Sequence, residues 1–453
     1  MENKRMMTCR LLSLVALVSF AASLLVAMLL TTSPSAAKTT IRVYLRNWDP
    51  ELKWELAMIN EFEKRNPDIG VERIVVGLGE EYWTKLATMR AAGLGPDVLD
   101  HTGVGVGVEE EFLDLTPFVK RDQEEIDLQD FFPGARLSSQ FQGKWYGLPV
   151  ASMGTFIFYN KDLFDAVGLP SIPADWENPG FTWDKLVEYA RKLTRLDGQG
   201  RAERLGIEFP WAEDQLMIWY AWNWGGDWFD EESYRSARIH GSRLLDPETI
   251  TGYQKVVDLI VNKRTAVGIV PWASTPTSFA FVNEMVGMWW VGGFTASTLK
   301  DLRVGFRWGL APLPLTSAGR TTMVLTDHWK VAKTTKHPEE AWRFVKFITG
   351  KDAMRAYAEV MGFAPSRASA IGPFTQSLSK ASGMTPREVV EALTGSQAHG
   401  RPGIAMVGIG DAVKVITPPL IQAFQGKLSV EEALRRGHEA LLPIIDRYQK
   451  ASR

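Results

Sequence analysis

The residues of this 453-residue chain best suited to handling a ligand are aromatic rings set beside amides and carboxylates. Seventeen tryptophans, twenty-two phenylalanines and ten tyrosines exceed what ordinary core packing demands. An indole or phenyl face accepts the C–H face of a sugar ring, while nearby amides and carboxylates serve its hydroxyls. Asn47-Trp48-Asp49 has this make-up, and so does the stretch where Trp219, Trp222, Trp224 and Trp228 surround Asn223 and the turn Gly225-Gly226-Asp227. Rings spaced by three and four usually form core, so only Trp222 or Trp224 of that stretch is assigned to a ligand. Thr326-Asp327-His328-Trp329 adds a carboxylate, an imidazole and an indole in a row, a set suited to specific hydrogen bonds and one stacked ring.

Catalytic signatures are weaker. There is no His-Glu-x-x-His pair and no nucleophile elbow, the six histidines are scattered, and the single cysteine is Cys9. Gly103, Gly105 and Gly107 alternate without the lysine of a phosphate loop and read as an irregular loop. Glu80, Glu81, Asp97 and Asp227 leave a glycosidase pair open, since such enzymes need only two carboxylates across a cleft. No cofactor and no metal are expected. A net charge of −2 gives no reason to expect nucleic acid as a partner.

The elements that must position these groups follow from periodicity. Ile41-Arg42-Val43-Tyr44-Leu45 alternates as a strand does, and Asp49-Pro50 supplies a cap and a first-turn proline. The next helix carries Leu52, Leu56, Ile59 and Phe62 on one face and ends at Asn66-Pro67, before a strand from Val71 to Val76. This is the strand–helix–strand unit of a parallel sheet. Asn47-Trp48-Asp49 therefore lies at a strand end, where ligand groups collect in such sheets. A helix around Tyr82 to Ala92 stops at Gly93, and Val98-Leu99 begins another strand. Thr182 caps a helix over 183–193, Pro338 opens one with Ala341, Phe344, Val345 and Ile348 aligned, and Ser429 with Glu432 reads as a capping box.

Lys4, Arg5 and Arg10 precede an apolar run from Leu11 to Leu30, followed by Ser35, Ala36 and Ala37, the pattern of an export signal cut after Ala37. A run of about 20 apolar residues also suffices to span a bilayer, so a retained anchor is the alternative. Cys9 precedes the run rather than following it, so no lipid anchor is expected there. The remaining chain has no cysteine, and hence no disulfide, and must rely on its core. It retains every tryptophan, with 48 basic and 52 acidic residues, and is long enough for two units.

The ordered run of EFEKRNPDIGVE, YWTKLATMRAAGLGPDV, LDLTPFV, GLPV with FYNKDLF, FTWDKLVEYARKLT, KHPEEAWRFVKFITG and GKLSVEEAL covers nearly the whole exported chain. It resembles the sugar-type solute-binding proteins of bacterial ABC importers. The resemblance implies a two-lobed α/β periplasmic-binding-protein fold of type II, with a ligand cleft between lobes joined by three hinge crossings. Placing these near Pro149, Leu325 and Pro365 gives one lobe from 38–149 with 326–365 and another from 150–325 with 366–453. The resemblance further implies a monomer, periplasmic or extracellular, that closes on a sugar and delivers it to the membrane permease subunits of an ABC transporter, without cofactor or reaction.

Site residues carried over with the resemblance are His101, just after the third strand; Tyr82 in the preceding helix; and Trp211 in Phe209-Pro210-Trp211. Gly292 and Gly293 would lend backbone amides. Phe294 stands where the family commonly has tryptophan, which puts a disaccharide preference in doubt. The family usually has small, glycine-rich residues at the second crossing, so Asp327, His328 and Trp329 depart from it and are expected to set the ligand preference. A polyol, a glycerophosphoryl compound or a polyamine stays open through Arg46 and Asp227, and a secreted carbohydrate-active enzyme through the carboxylates. The excess of tryptophan over any visible charge cluster favours a neutral sugar.

Overall fold

The computed structural model describes residues 38–450 apart from 50, 101–107, 210–216, 268–278, 362 and 405. Strand β1 (Thr39–Arg46), helix α1 (Glu51–Arg65) and strand β2 (Ile69–Val76) form the expected unit. β1 and β2 are parallel, with Ile41 opposite Val71 and Arg46 opposite Val76. Helix α2 (Glu80–Ala91) returns the chain to β3 (Val98–Leu99) on the other side of β1. Gly93, at φ 68°, supplies the left-handed residue that lets the chain leave α2. The buried face of α1 differs from the expectation: Leu52 and Leu56 are only half-buried, whereas Glu51, Trp54, Glu55, Ile59 and Phe62 are buried.

The chain then passes through the hairpin of Gln140–Phe141 with Lys144–Trp145, whose turn takes positive φ at Gln142 and Gly143. It continues through β4 (Leu148–Met153) and, after Gly154 alone, β5 (Thr155–Asn160). β5 belongs to a second sheet, which also holds β6 (Ala202–Glu208), β7 (Ala266–Val267), β8 (Val286–Gly292) and β9 (Trp308–Ala311) in the order β7-β6-β8-β5-β9. Helix α3 (Trp183–Leu193) packs on this sheet, capped as expected by the Thr182 hydroxyl, which accepts from Lys185 N. Gly206 of β6 is where they touch: a Cβ there would sit 2.1 Å from the Ala190 carbonyl oxygen of α3. Because that neighbour is backbone, Gly206→Ala is expected to destabilise by about 1–3 kcal/mol or more. Urea denaturation checks this, and an unchanged midpoint would contradict it.

β10 (Thr322–Val331) joins the two regions. Thr322–Val324 pairs with β11 (Gly400–Pro402), Leu325–Trp329 runs antiparallel to β4, and Lys330–Val331 reaches β3. The first sheet thus reads β11-β10-β3-β1-β2, with β4 added on β10. On the far side of β4, Ser366 N donates to Val150 O at 2.9 Å and Ser152 N to Ala364 O at 3.2 Å. Three passes of chain therefore lie side by side here: β4, β10 and 364–366.

Each sheet has its own core. The first draws on residues from Ile41 to Ala151 and from Trp329 to Ala370. It includes helices α5 (Pro338–Ile348) and α6 (Lys351–Met361), while α4 (Ile218–Trp222) belongs to the second core. That core runs from Met153 to Met323 and from Ala358 to Ile445, closed by α7 (Ile409–Phe424) and α8 (Val430–Lys450). At the start of α8 the Ser429 hydroxyl accepts from Glu432 N at 3.1 Å, but the Glu432 carboxylate pairs with Arg435 and Arg436. The reciprocal capping box lies at Thr385 and Glu388. Among the described residues no helix is long and apolar enough to cross a membrane.

Candidate ligand site at the crossing strands

Where the three passes meet, a cavity of about 80 Å³ is lined by the rings of Phe294 and Phe363, by Met153, and by Ser152, Thr326 and Asp327. Phe294 follows β8 of the second sheet, whereas Asp327 comes from β10 and Phe363 follows α6. The hydroxyls of Ser152 and Thr326 are 3.2 Å apart. Phe363 extends the wall outward, its ring centre 5.6 Å from that of Trp48, and the Arg46 guanidinium lies 5.9 Å from the Trp48 ring. Apolar faces beside hydroxyls and one carboxylate suit a ligand with both C–H and O–H surface. Among the described residues its lining carries a single carboxylate, where glycoside hydrolysis needs a pair.

A larger cavity of about 630 Å³ lies on the outer side of the first unit, between α1 and α5. Its cations are matched: Arg65 with Glu61, Arg343 with Asp68, Lys346 with Asp122, Lys351 with Asp127 and Arg367 with Asp130. It has size without polar groups converging on a ligand, and the smaller cavity carries the better chemistry.

Of the residues expected at a site, Trp48, Phe294 and Asp327 are thus gathered together. Asn47 is exposed, and its N–H donates to Val76 O at 2.7 Å. Tyr82 is buried: its hydroxyl donates to Asp100 O at 2.9 Å, its ring meets Tyr44 edge-on, and burial, then the Asp100 charge, raises its phenol pKa. Trp222 is also buried. Its Nε1 donates to Asp227 Oδ2 at 3.0 Å and the Arg401 guanidinium covers its ring at 4.1 Å. Trp224 stands edge-on to Trp183, beside a separate depression near Thr182 and Leu315. Neither tryptophan lines the hinge cavity: Trp222, at the end of α4, and Trp224, in the turn that follows it, both pack into the second core.

The run 326–329 divides at a bulge between Asp327 and His328. Asp327 lines the cavity, while His328 is fully buried and Trp329 packs edge-on against Phe344 in the first core. Gly292 pairs with Thr155, and the Gly293 N–H donates to Gly154 O at 2.9 Å, so this amide is committed within the protein rather than held for a ligand. His101 and Trp211 lie outside the described residues.

Beside Trp48 lies a group that periodicity did not assign to any site. Arg46 is buried, with Nη2 2.7 Å from Glu51 Oε2 and Nε 3.3 Å from Asp100 Oδ2. Burial opposes its charge, but Asp100, Glu51 and Asp327 outweigh burial and raise its pKa. Burial first, and next the Asp100 charge, push Glu51 and Glu55 well above the usual carboxylate range. One signal was legible: two glutamates four residues apart, flanking Trp54, on the same side of α1 as Ile59 and Phe62.

Lys330, on the same β10, is 1 % exposed, and burial brings its ammonium down to about 7 despite Asp327, Glu111 and Asp100. An unfolded lysine titrates near 10.4, so between about pH 7 and 10 the unfolded chain binds more protons and this group makes folding more favourable as pH rises. Lys330→Met should therefore stabilise most below pH 7, with its advantage shrinking toward pH 10. Urea titrations of both proteins across that range test this, and an advantage independent of pH would contradict it.

Two sheets with separate cores, strands crossing between them and a cavity at the crossing define a two-lobed binding fold. The model of the bacterial extracellular solute-binding proteins matches residues 57–384, and the chain belongs to that family. A Brucella abortus chain described as a binding protein is 27 % identical over 229 residues, covering 50 % of this chain and 52 % of its own length. The maltotriose-binding protein of Pyrococcus abyssi is 25 % identical over 340 residues, covering 71 % of this chain and 66 % of its own length. This chain therefore matches about half the length of the Brucella relative. The structure of the sugar-binding protein MalE from Xanthomonas citri superposes with a TM-score of 0.73 at 18 % identity, covering 91 % of this chain and 99 % of that one. At that identity the likeness establishes the fold alone.

Proposed function

We propose that this chain is exported, captures a carbohydrate by closing its two lobes, and delivers it as a monomer to the permease subunits of an ABC importer. The observation that carries this reading is the cavity at the crossing strands, where Phe294 from the second lobe faces Asp327 and Phe363. A ligand there would touch both lobes, and so would be bound more tightly in the closed arrangement than in the open one. The proposed lobes are 38–149 with 326–365 and 150–325 with 366–453; most of the first core falls within the former and most of the second within the latter. Phe294 and Trp48 stack on the ligand, Asp327, Ser152 and Thr326 bond its hydroxyls, and His101 and Trp211 complete the set. The maltotriose specificity named for the Pyrococcus abyssi relative supports a carbohydrate.

The carboxylates Glu51, Glu55, Asp100 and Asp327 near these rings favour a polyamine as the second reading. Three of the four are buried, two of them bound to Arg46, which leaves Asp327 alone at the cavity and places the neutral ligand first. A thermal-shift screen against mono- to trisaccharides, polyols, glycerophosphodiesters and polyamines, with product analysis of every sample, distinguishes the readings. An intact carbohydrate that raises the unfolding temperature progressively as its concentration passes the dissociation constant is the expected result. A response confined to polyamines moves the ligand class, and hydrolysis with turnover overturns the transport role.

A further inference from the structure

Glu51 and Glu55 from the first turns of α1 meet Asp100, which follows β3, with one carboxylate oxygen of each within 4.8 Å of the others. All three are buried, at 2, 0 and 3 % exposure. Arg46 occupies one edge of the group through its contacts with Glu51 and Asp100, setting one guanidinium against three carboxyl groups. Glu55 provides the second observation. It is wholly enclosed and faces Asp100, another carboxyl group of the cluster, and among the described residues neither of its oxygens meets an N–H or hydroxyl donor. Asp100 Oδ1 also has no such donor, whereas Glu51 Oε2 is ion-paired with Arg46 Nη2 at 2.7 Å. Buried carboxylate oxygens are costly to leave without a donor or a cation.

We infer that these three carboxylates bind a divalent cation of the calcium type, each offering at least one oxygen to it. Hard oxygen ligands and the absence of sulfur or imidazole from the trio fit such an ion rather than zinc. Oxygens at calcium's bond length lie at most about 4.6–5.2 Å apart across one ion, which accommodates the observed spread, whereas magnesium permits only about 4.2 Å. A doubly charged ion together with Arg46 neutralises the three carboxylates. Arg46 then acts as the outer partner that orients two of the ligands. The ion ties the start of α1 to the ends of β1 and β3, directly behind Trp48. The site is distinct from the hinge cavity and does not depend on what that cavity binds.

The test is metal analysis of the exported chain after dialysis, with unfolding followed in calcium chloride, in magnesium chloride and in EDTA. The expected result is one calcium per chain and an unfolding temperature several degrees higher in calcium than in EDTA, with a smaller rise in magnesium. Glu55→Gln should remove the calcium response while the protein stays folded, and Glu51→Gln provides the same comparison should the first variant fold poorly. No bound calcium, and equal unfolding temperatures in calcium and EDTA, overturn the proposal. A carboxylic-acid stretching band lost in Glu55→Gln also overturns it, by identifying a proton as the group's occupant.

Discussion

Replacing Arg46 with methionine should lower the stability of the folded chain by about 3–5 kcal/mol at neutral pH, since it leaves buried charge without its partner. The magnitude follows from placement: Arg46 is 8 % exposed and contacts both Glu51 and Asp100, with Glu55 fully enclosed beside them. The loss should depend on pH. Glu51 and Glu55 have folded pKa values raised above that of an unfolded glutamate, about 4.3, so what they contribute in the protonated form is present at low pH and lost as pH rises through the folded values. Without Arg46 those values rise further, so the deficit of Arg46→Met should be larger at pH 8 than at pH 5. Urea denaturation at the two pH values measures it. A deficit below about 1 kcal/mol, in the range of a surface ion pair, would show that the cluster does not hold the strand ends together.

Phe294→Ala should weaken carbohydrate binding about 30-fold or more, the loss expected when a central aromatic contact worth about 2 kcal/mol is truncated. Its cost to stability should be modest, because the ring is only half-buried and lines a cavity. Trp329→Ala provides the contrast. That ring is 1 % exposed against Phe344, so its removal should destabilise by about 3–5 kcal/mol. Calorimetric titration with the carbohydrate that gives the largest thermal shift separates these cases. Unchanged affinity in Phe294→Ala would remove the hinge cavity from the ligand site.

Much of the frame was legible because it is written in local chemistry. The alternation of β1, the Thr182 cap and the end of α2 at Gly93 each depend on a few neighbouring residues. The site was legible only in part. Trp48 could be picked out as a ring at a strand end and Asp327 as a carboxylate at a crossing, while Phe294 came with the family resemblance. The neighbouring His328 and Trp329 could not be told from it, because a bulge in the pairing with β4 decides which of the three side chains reaches the cavity. Phe363 carried no local signal; it matters because it touches Trp48, more than 300 residues earlier in the chain. The four-residue spacing of Glu51 and Glu55 puts them on one side of α1 but does not say what that side meets. They are buried because β1 and β3 bring Arg46 and Asp100 onto that side, a long-range pairing that no helical period contains.

The central claim is that a carbohydrate binds between the lobes at the crossing strands. Hydrogen exchange with and without that carbohydrate tests it most directly, because protection reports which backbone is ordered by the ligand. The expected result is protection in peptides from both lobes, around Trp48, Asp327 and Phe363 on one side and Phe294 on the other. Protection confined to one lobe, or centred on the outer cavity between α1 and α5, would contradict capture by closure.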